Sequence, residues 1–170
     1  MTVGENIMKL DKFLFFADLS DEMKVRLEKL IDWFPVPNGS TLIEQGTPAN
    51  FAAFVLEGSF DVFRRSTGGS RFISSATAGE VLGEVGLLTK SSRFATCNAS
   101  QDSVVGVLSQ NQLIAMRKDD LELYAGLLTI LGATSANRLT ELTTEVDLLS
   151  AKNEIAVQSA KNILRSSMLG

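Results

Sequence analysis

The sequence contains no histidine. That removes the commonest general base and the commonest metal ligand. Hydrolytic triads and His-bound metal centres are excluded, and the metal enzymes that small β-barrels often carry are not expected. No metal ligand set and no catalytic residue is expected. The chain has one cysteine, Cys97, so no internal disulfide can form. It has no long basic run, and its net charge is -4. Affinity for nucleic acid rests on Lys and Arg neutralising phosphates, so a DNA partner is not expected. No apolar run approaches the ~20 residues that a membrane span needs, so no membrane partner is expected either. The N-terminus, Met1-Thr2-Val3-Gly4-Glu5, lacks a basic region followed by an apolar one. No secretion signal is read there, and the expected location is cytoplasmic.

What remains is ordinary for a globular protein: 170 residues, 45% hydrophobic and 21% charged. That length suits one domain with a core, or one domain plus an appendage. Residues 6–16 read as a short helix. Ser20 is a good N-cap, and Met23, Val25, Leu27, Leu30 and Ile31 keep a helical period to about Trp33. Pro35 and Pro37 stop it. From Phe34 to Leu108 short apolar runs alternate with turn residues, the pattern of a sandwich or barrel. Strands are expected near 41–44, 51–57, 59–65, 71–76, 93–99 and 103–108, with a hairpin at Thr67-Gly68-Gly69-Ser70. Ser109 caps a further helix, and Asp119-Asp120 starts a long one that runs to about Ser166 without a proline. The expected fold is α+β and mainly β: a jelly-roll barrel of about eight strands. It is flanked by short N-terminal helices (1–33) and a long C-terminal dimerisation helix (119–168), the barrel itself being 34–118.

With Leu139 at heptad position a, the seam continues through Leu142, Val146, Leu149, Asn153, Ala156, Ala160 and Ile163. Seven of these eight are apolar. One Asn at an a position favours a parallel two-stranded coil at some cost in stability. A helix of about 45 residues is roughly 65–70 Å long. That length exceeds what a barrel of ~100 residues covers, so a homodimer is expected.

One stretch carries the chemistry: Val81-Leu82-Gly83-Glu84-Val85-Gly86-Leu87-Leu88, followed by Arg93-Phe94-Ala95-Thr96. Only Val85 to Leu88 within it reads as a helical turn. Alternation along the next strand puts Arg93, Ala95, Cys97 and Ala99 on one face. Three small residues beside one arginine leave space at a buried guanidinium, and a buried charge needs a partner. Either Glu84 pairs with Arg93, or an anion fills the space. On these residues alone the structural pair is the more economical reading. An arginine for a phosphate and a glutamate for a sugar hydroxyl would describe a nucleotide monophosphate site.

The stretch resembles the phosphate-binding cassette of the cyclic-nucleotide-binding domain family, which includes catabolite-activator-type regulators and kinase regulatory subunits. The family pattern Gly-Glu-x-(Ala/Gly)-Leu, then Arg-x-Ala, reads here as Gly83-Glu84-Val85-Gly86-Leu87 and Arg93-Phe94-Ala95. Gly46, Gly58 and Gly79 stand where the family has structural glycines, and the resemblance spans roughly residues 10–140. It implies that Glu84 holds the ribose 2′-hydroxyl and Arg93 the cyclic phosphate. Backbone N–H groups of Val85, Gly86 and Ala95 would complete the cradle. Thr143 and Thr144 lie where family activators reach the adenine from the dimer helix.

Phe94 departs from the family, which has Ala, Ser or Thr there. It offers no hydroxyl, which leans toward cAMP over cGMP and toward weaker affinity. The expectation is a non-catalytic, cofactor-free sensor that relays cyclic-nucleotide binding through a coiled coil to a partner or effector. The alternatives are a degenerate cassette acting as a dimeric scaffold, and the sensor half of a larger regulator. A DNA-reading domain is not expected within the chain.

Overall fold

The computed structural model describes residues 9–168, with side-chain surroundings to residue 159. Eight strands run β1 (Asp32–Val36), β2 (Thr41–Ile43), β3 (Phe51–Glu57), β4 (Ser59–Ser66), β5 (Gly69–Thr77), β6 (Val81–Leu82), β7 (Thr96–Ala99) and β8 (Ser103–Ser109). Among the described residues the helices with both ends described are α1 (Asp21–Glu28), α2 (Glu84–Thr89), α3 (Gln110–Asp119) and α4 (Leu121–Met168). A single 3-10 turn, Leu14–Phe16, precedes α1. The strands form two four-stranded antiparallel sheets, ordered β1-β8-β3-β6 and β2-β7-β4-β5. This is the jelly-roll arrangement expected for a mainly β, α+β chain.

The strand β3 shows why the sequence folds this way. Phe51 to Leu56 is a continuous apolar run rather than an alternating one, and Ala52 to Leu56 are all buried. Successive side chains point to opposite faces, so both faces must be covered. Ala53 and Val55 join the cluster between the two sheets, with Phe60, Cys97 and Ala99. Ala52, Phe54 and Leu56 join a second cluster with Phe13, Phe16, Leu27, Met116 and Leu127, built by the helices. The Phe54 ring lies 5.9 Å from that of Phe13 and 5.4 Å from that of Phe16.

The helix starts follow their caps. Ser20 accepts a hydrogen bond from Met23 N, and Ser109 and Gln112 form a reciprocal capping box. Asp120 accepts from Leu123 N at the start of α4. Arg26 ties α1 to that same point through ion pairs with Asp120 (2.9 Å) and Glu122 (3.0 Å).

Four elements differ from the sequence reading. The helix expected to reach Trp33 ends at Glu28, and Asp32–Val36 is a strand instead. Its apolar residues face the core from a turn and a strand. Pro35 is tolerated because β1 lies at a sheet edge, where a missing N–H breaks no ladder. The short strand β6 pairs with Ala53 and Phe54, within the stretch read as turn and helix. The strand expected from 93 begins only at Thr96. The helix expected over 6–16 does not run through: Asn6 to Met8 lie outside the described residues, only Lys9 and Leu10 of the rest are α-helical, and Leu14–Phe16 is a 3-10 turn.

By its internal contacts the chain divides into two units, Met1–Leu131 and Gly132–Gly170. The first contains both sheets and the first turns of α4, whose Leu123, Leu127 and Leu131 are buried in the helical cluster. The second is the remainder of α4. Its Leu139, Leu142, Val146 and Leu149 are exposed. Ala160 and Ile163 lie beyond the last side chains described. Among the described residues no helix is long and apolar enough to cross a membrane.

Glu28 is buried at the end of α1, and its Oε2 has no hydrogen-bond partner. Burial raises its carboxyl pKa above the usual value, opposed in part by the charge of Lys9. A raised folded-state pKa means that the folded state holds this proton more tightly than the unfolded one. This contribution therefore favours folding at low pH and is lost as pH rises through the raised value. The variant Glu28→Gln is expected to melt higher than wild type at pH 8, with the gain vanishing toward pH 4. Thermal denaturation across that range checks it.

Candidate functional site

The site is built where the turn Gln45–Pro48, the helix α2 and the segment leading into β7 meet. Arg93 N donates to Thr47 O (2.8 Å), and Arg93 O accepts from Gly46 N (2.9 Å). A β-bridge joins Pro48 to Ser92 beside them. These bonds fix the Arg93 backbone outside any ladder, which is why β7 starts three residues later.

The Arg93 side chain is only 4% exposed. Its Nη1 donates to the Gly83 carbonyl at 3.1 Å. Its guanidinium lies over the Phe51 ring, 4.3 Å from the centroid. Its Nη2 is buried with no hydrogen-bond partner. No carboxylate of the described residues forms an ion pair with Arg93. Burial pushes its pKa down from the usual value, opposed in part by Cys97. An arginine stays protonated even so. The more economical of the two sequence readings, a Glu84–Arg93 salt bridge, is therefore not formed. A fixed guanidinium with one donor edge unsatisfied is left.

Gly83 starts α2 in the left-handed conformation, with φ 76°. Its carbonyl accepts from both Leu87 N and Arg93 Nη1. A Cβ there would collide with the Arg93 guanidinium and approach Ile43. Glu84 begins the helix and is 2% exposed. Val85 is exposed. Gly86 packs so closely on the turn that a Cβ would lie 2.6 Å from that of Ala49. The N–H groups of Glu84, Val85 and Gly86 precede the first intrahelical bond, as at every helix start. Ala95 is half-buried beside Arg93.

Of the segment after Arg93, only Cys97 and Ala99 on β7 keep the expected facing, because Phe94 and Ala95 lie in the bend before that strand. Cys97 and Ala99 are buried between the sheets, and Phe94 is 65% exposed. The structure thus sets Gly83 against Arg93, with Glu84, Val85 and Gly86 following on α2 and Phe94 and Ala95 following Arg93 along the chain. Thr143 and Thr144 belong to the second unit, where their hydroxyls donate to Leu139 O (2.8 Å) and Thr140 O (3.0 Å). Sequence reasoning missed two partners. Phe51 lies under Arg93, and Arg64 lies over Phe94 at 4.0 Å. Alternation along β4 carried a signal for Arg64. Nothing local ties Phe51 to Arg93.

The profile of the cyclic nucleotide-binding domain family matches residues 34–120. The chain belongs to that family. It is 32% identical to the cyclic AMP receptor protein of Thermus thermophilus over 140 residues, 78% of this chain and 61% of that one. It is 26% identical to patatin-like phospholipase domain-containing protein 7 of Rattus norvegicus over 108 residues, 63% of this chain and 8% of that protein. The chain thus spans less than two thirds of the length of either relative. A solved cyclic nucleotide-binding domain from Methylobacillus flagellatus superposes with a TM-score of 0.73 at 24% identity, covering 82% of this chain and 79% of that one.

The variant Gly83→Ala would force a left-handed backbone on an L-residue and push on Arg93. It is expected to lose about 1–3 kcal/mol of folding free energy, measured by urea unfolding.

Proposed function

We propose that this protein is a non-catalytic cyclic-nucleotide sensor, preferring cAMP to cGMP. In this reading Arg93 holds the cyclic phosphate through the edge carrying Nη2. The N–H groups of Val85, Gly86 and Ala95 complete the cradle, and Glu84 takes the ribose 2′-hydroxyl. The observation that carries the reading is the buried Nη2 of Arg93, unsatisfied on a guanidinium fixed by Gly83 and Phe51. A buried charge without a partner is costly, and a bound phosphate supplies both the countercharge and the acceptor. The absence of a hydroxyl at Phe94 supports cAMP over cGMP.

The relay runs from α2 to α3 and the start of α4. A cleft of about 170 Å³ lined by Leu87, Leu88, Leu113, Tyr124 and Leu128 leaves room for α2 to shift. The ligand regulates only if it binds two arrangements with different affinity. The exposed seam Leu139, Leu142, Val146 and Leu149 supports a parallel homodimer that passes the signal to an effector in the cytoplasm. A scaffold with a silent cassette is the second reading, favoured by the ring of Phe94 at the rim. It requires wild type to bind no cyclic nucleotide.

Calorimetric titration with cAMP, cGMP and cyclic di-GMP tests the first reading. Wild type is expected to bind cAMP most tightly and cyclic di-GMP not at all. Arg93→Met should weaken cAMP binding at least ~30-fold. Its ligand-free melting temperature should not fall, because the variant removes an unpaired buried charge. No binding by wild type, or undiminished binding by Arg93→Met, would overturn the assignment.

The seam is tested by sedimentation equilibrium of Val146→Glu, which should convert a dimer to a monomer. A monomeric wild type would refute the dimeric relay.

A further inference from the structure

Phe94 is a large apolar ring left 65% exposed one residue from Arg93. It sits in the bend between the anchored Arg93 backbone and β7. The Arg64 guanidinium lies over it, 4.0 Å from the ring centroid. Which side of the sheet this stack occupies follows from β4. Phe60 is buried in the cluster between the sheets, and Val62 packs against that cluster. Phe63 and Arg65 line a cleft on the opposite face with Glu44 and Thr96, where Arg65 pairs with Glu44 at 3.4 Å. Alternation therefore puts Arg64 on the inner face with Phe60 and Val62. The register change beside it skips Ile73 of β5, so the alternation of β4 itself is unbroken.

The same face carries Cys97 and Ala99, paired with Val62 and Phe60. Arg71 stands directly opposite Arg64 across β4 and β5. Like charges facing each other across a ladder are unfavourable, so packing within the sheet does not account for this pair. One face of the Phe94 ring is thus covered by a cation and the rest of the ring is open. The stack lies on the side to which Arg93 belongs.

We infer that Phe94, held by Arg64, is a stacking platform for the ligand's base, so that the site selects cyclic purine mononucleotides by their π-face. This rests on the cyclic-nucleotide reading of Arg93 and Glu84. Stacking on an aromatic side chain is tolerant of base identity, because every base has a π-face. Purines offer the larger one. The platform therefore discriminates purine from pyrimidine strongly and adenine from guanine weakly. The guanidinium fixes the ring from one side by attraction to its π-electrons. Arg64 is a positioning residue, and Phe94 is the group that touches the base.

The test is calorimetric titration of the full chain with cAMP, cGMP and cyclic CMP. The proteins are wild type, Phe94→Ala, Phe94→Leu, Phe94→Trp and Arg64→Met. Phe94→Ala should weaken both purine ligands about 5- to 150-fold, the range found when base-stacking aromatics are removed. Cyclic CMP should lose less, so the purine-to-pyrimidine ratio falls. Phe94→Trp should restore that ratio and Phe94→Leu should not. Arg64→Met should lower it by a smaller factor. Melting curves of the variants, all at exposed positions, confirm that they fold.

Equal losses for all three ligands, no loss, or tighter binding by Phe94→Ala would overturn the platform while leaving the phosphate site standing. A wild type that binds none of the three overturns the cyclic-nucleotide reading and the platform with it.

Discussion

A guanidinium held away from water, in no ion pair with a carboxylate of the described residues, is the constraint around which this protein is arranged. Arg93 stacks on Phe51 and donates to the carbonyl of Gly83, and one of its nitrogens has no acceptor. Each neighbouring feature follows from holding that group still. The backbone of Arg93 is bonded in both directions to Gly46 and Thr47. Gly83 lacks a side chain because the guanidinium occupies that space, and Gly86 lacks one because Ala49 does. A buried charge left short of hydrogen bonds costs folding free energy. Among the described residues nothing accepts a hydrogen bond from Nη2.

The scaffold behind Arg93 is stiff for a reason visible in β3. That strand is covered on both faces, by the opposite sheet and by the helices. Phe51, half-buried at its start, packs against the cluster between the sheets. The helical cluster that covers the outer face also takes in Leu87 of α2 and Leu123 and Leu127 of α4. The helix that carries Glu84 and the helix that leaves the barrel thus share one apolar cluster. Arg26, paired with Asp120 and Glu122, anchors the junction between α3 and α4 on the other side.

The two arginines stacked on aromatic rings differ in consequence. Over Phe51, Arg93 is sealed and oriented. Over Phe94, Arg64 lies at the surface, and its ring partner keeps most of its area open. The first arrangement suits recognition of a small anion. The second suits recognition of a flat group adjoining it. The position after the cassette arginine thus carries an exposed aromatic ring under a guanidinium.

Much of this was legible in the amino-acid order. The turn spacing announced the barrel, Ser20, Ser109 and Asp120 announced helix starts, and the positions from Gly83 to Ala95 announced a cassette. These are short-range features: caps, turns and periodicities act over a few residues and are written locally. The boundary at Glu28 was misread because Leu30, Ile31 and Trp33 serve the same core from a turn and an edge strand as they would from a helix. Apolar spacing reports burial before it reports conformation.

Whether Arg93 met a carboxylate was not decidable from spacing, since nine residues along the chain do not specify a distance in space. Only the tertiary structure brought Phe51 beneath Arg93 and Arg64 above Phe94, because strand register and sheet order join residues far apart in sequence. The sequence by itself determined the barrel, its helices and the composition of the cassette. Long-range packing alone decided that the arginine would be left with an unsatisfied edge.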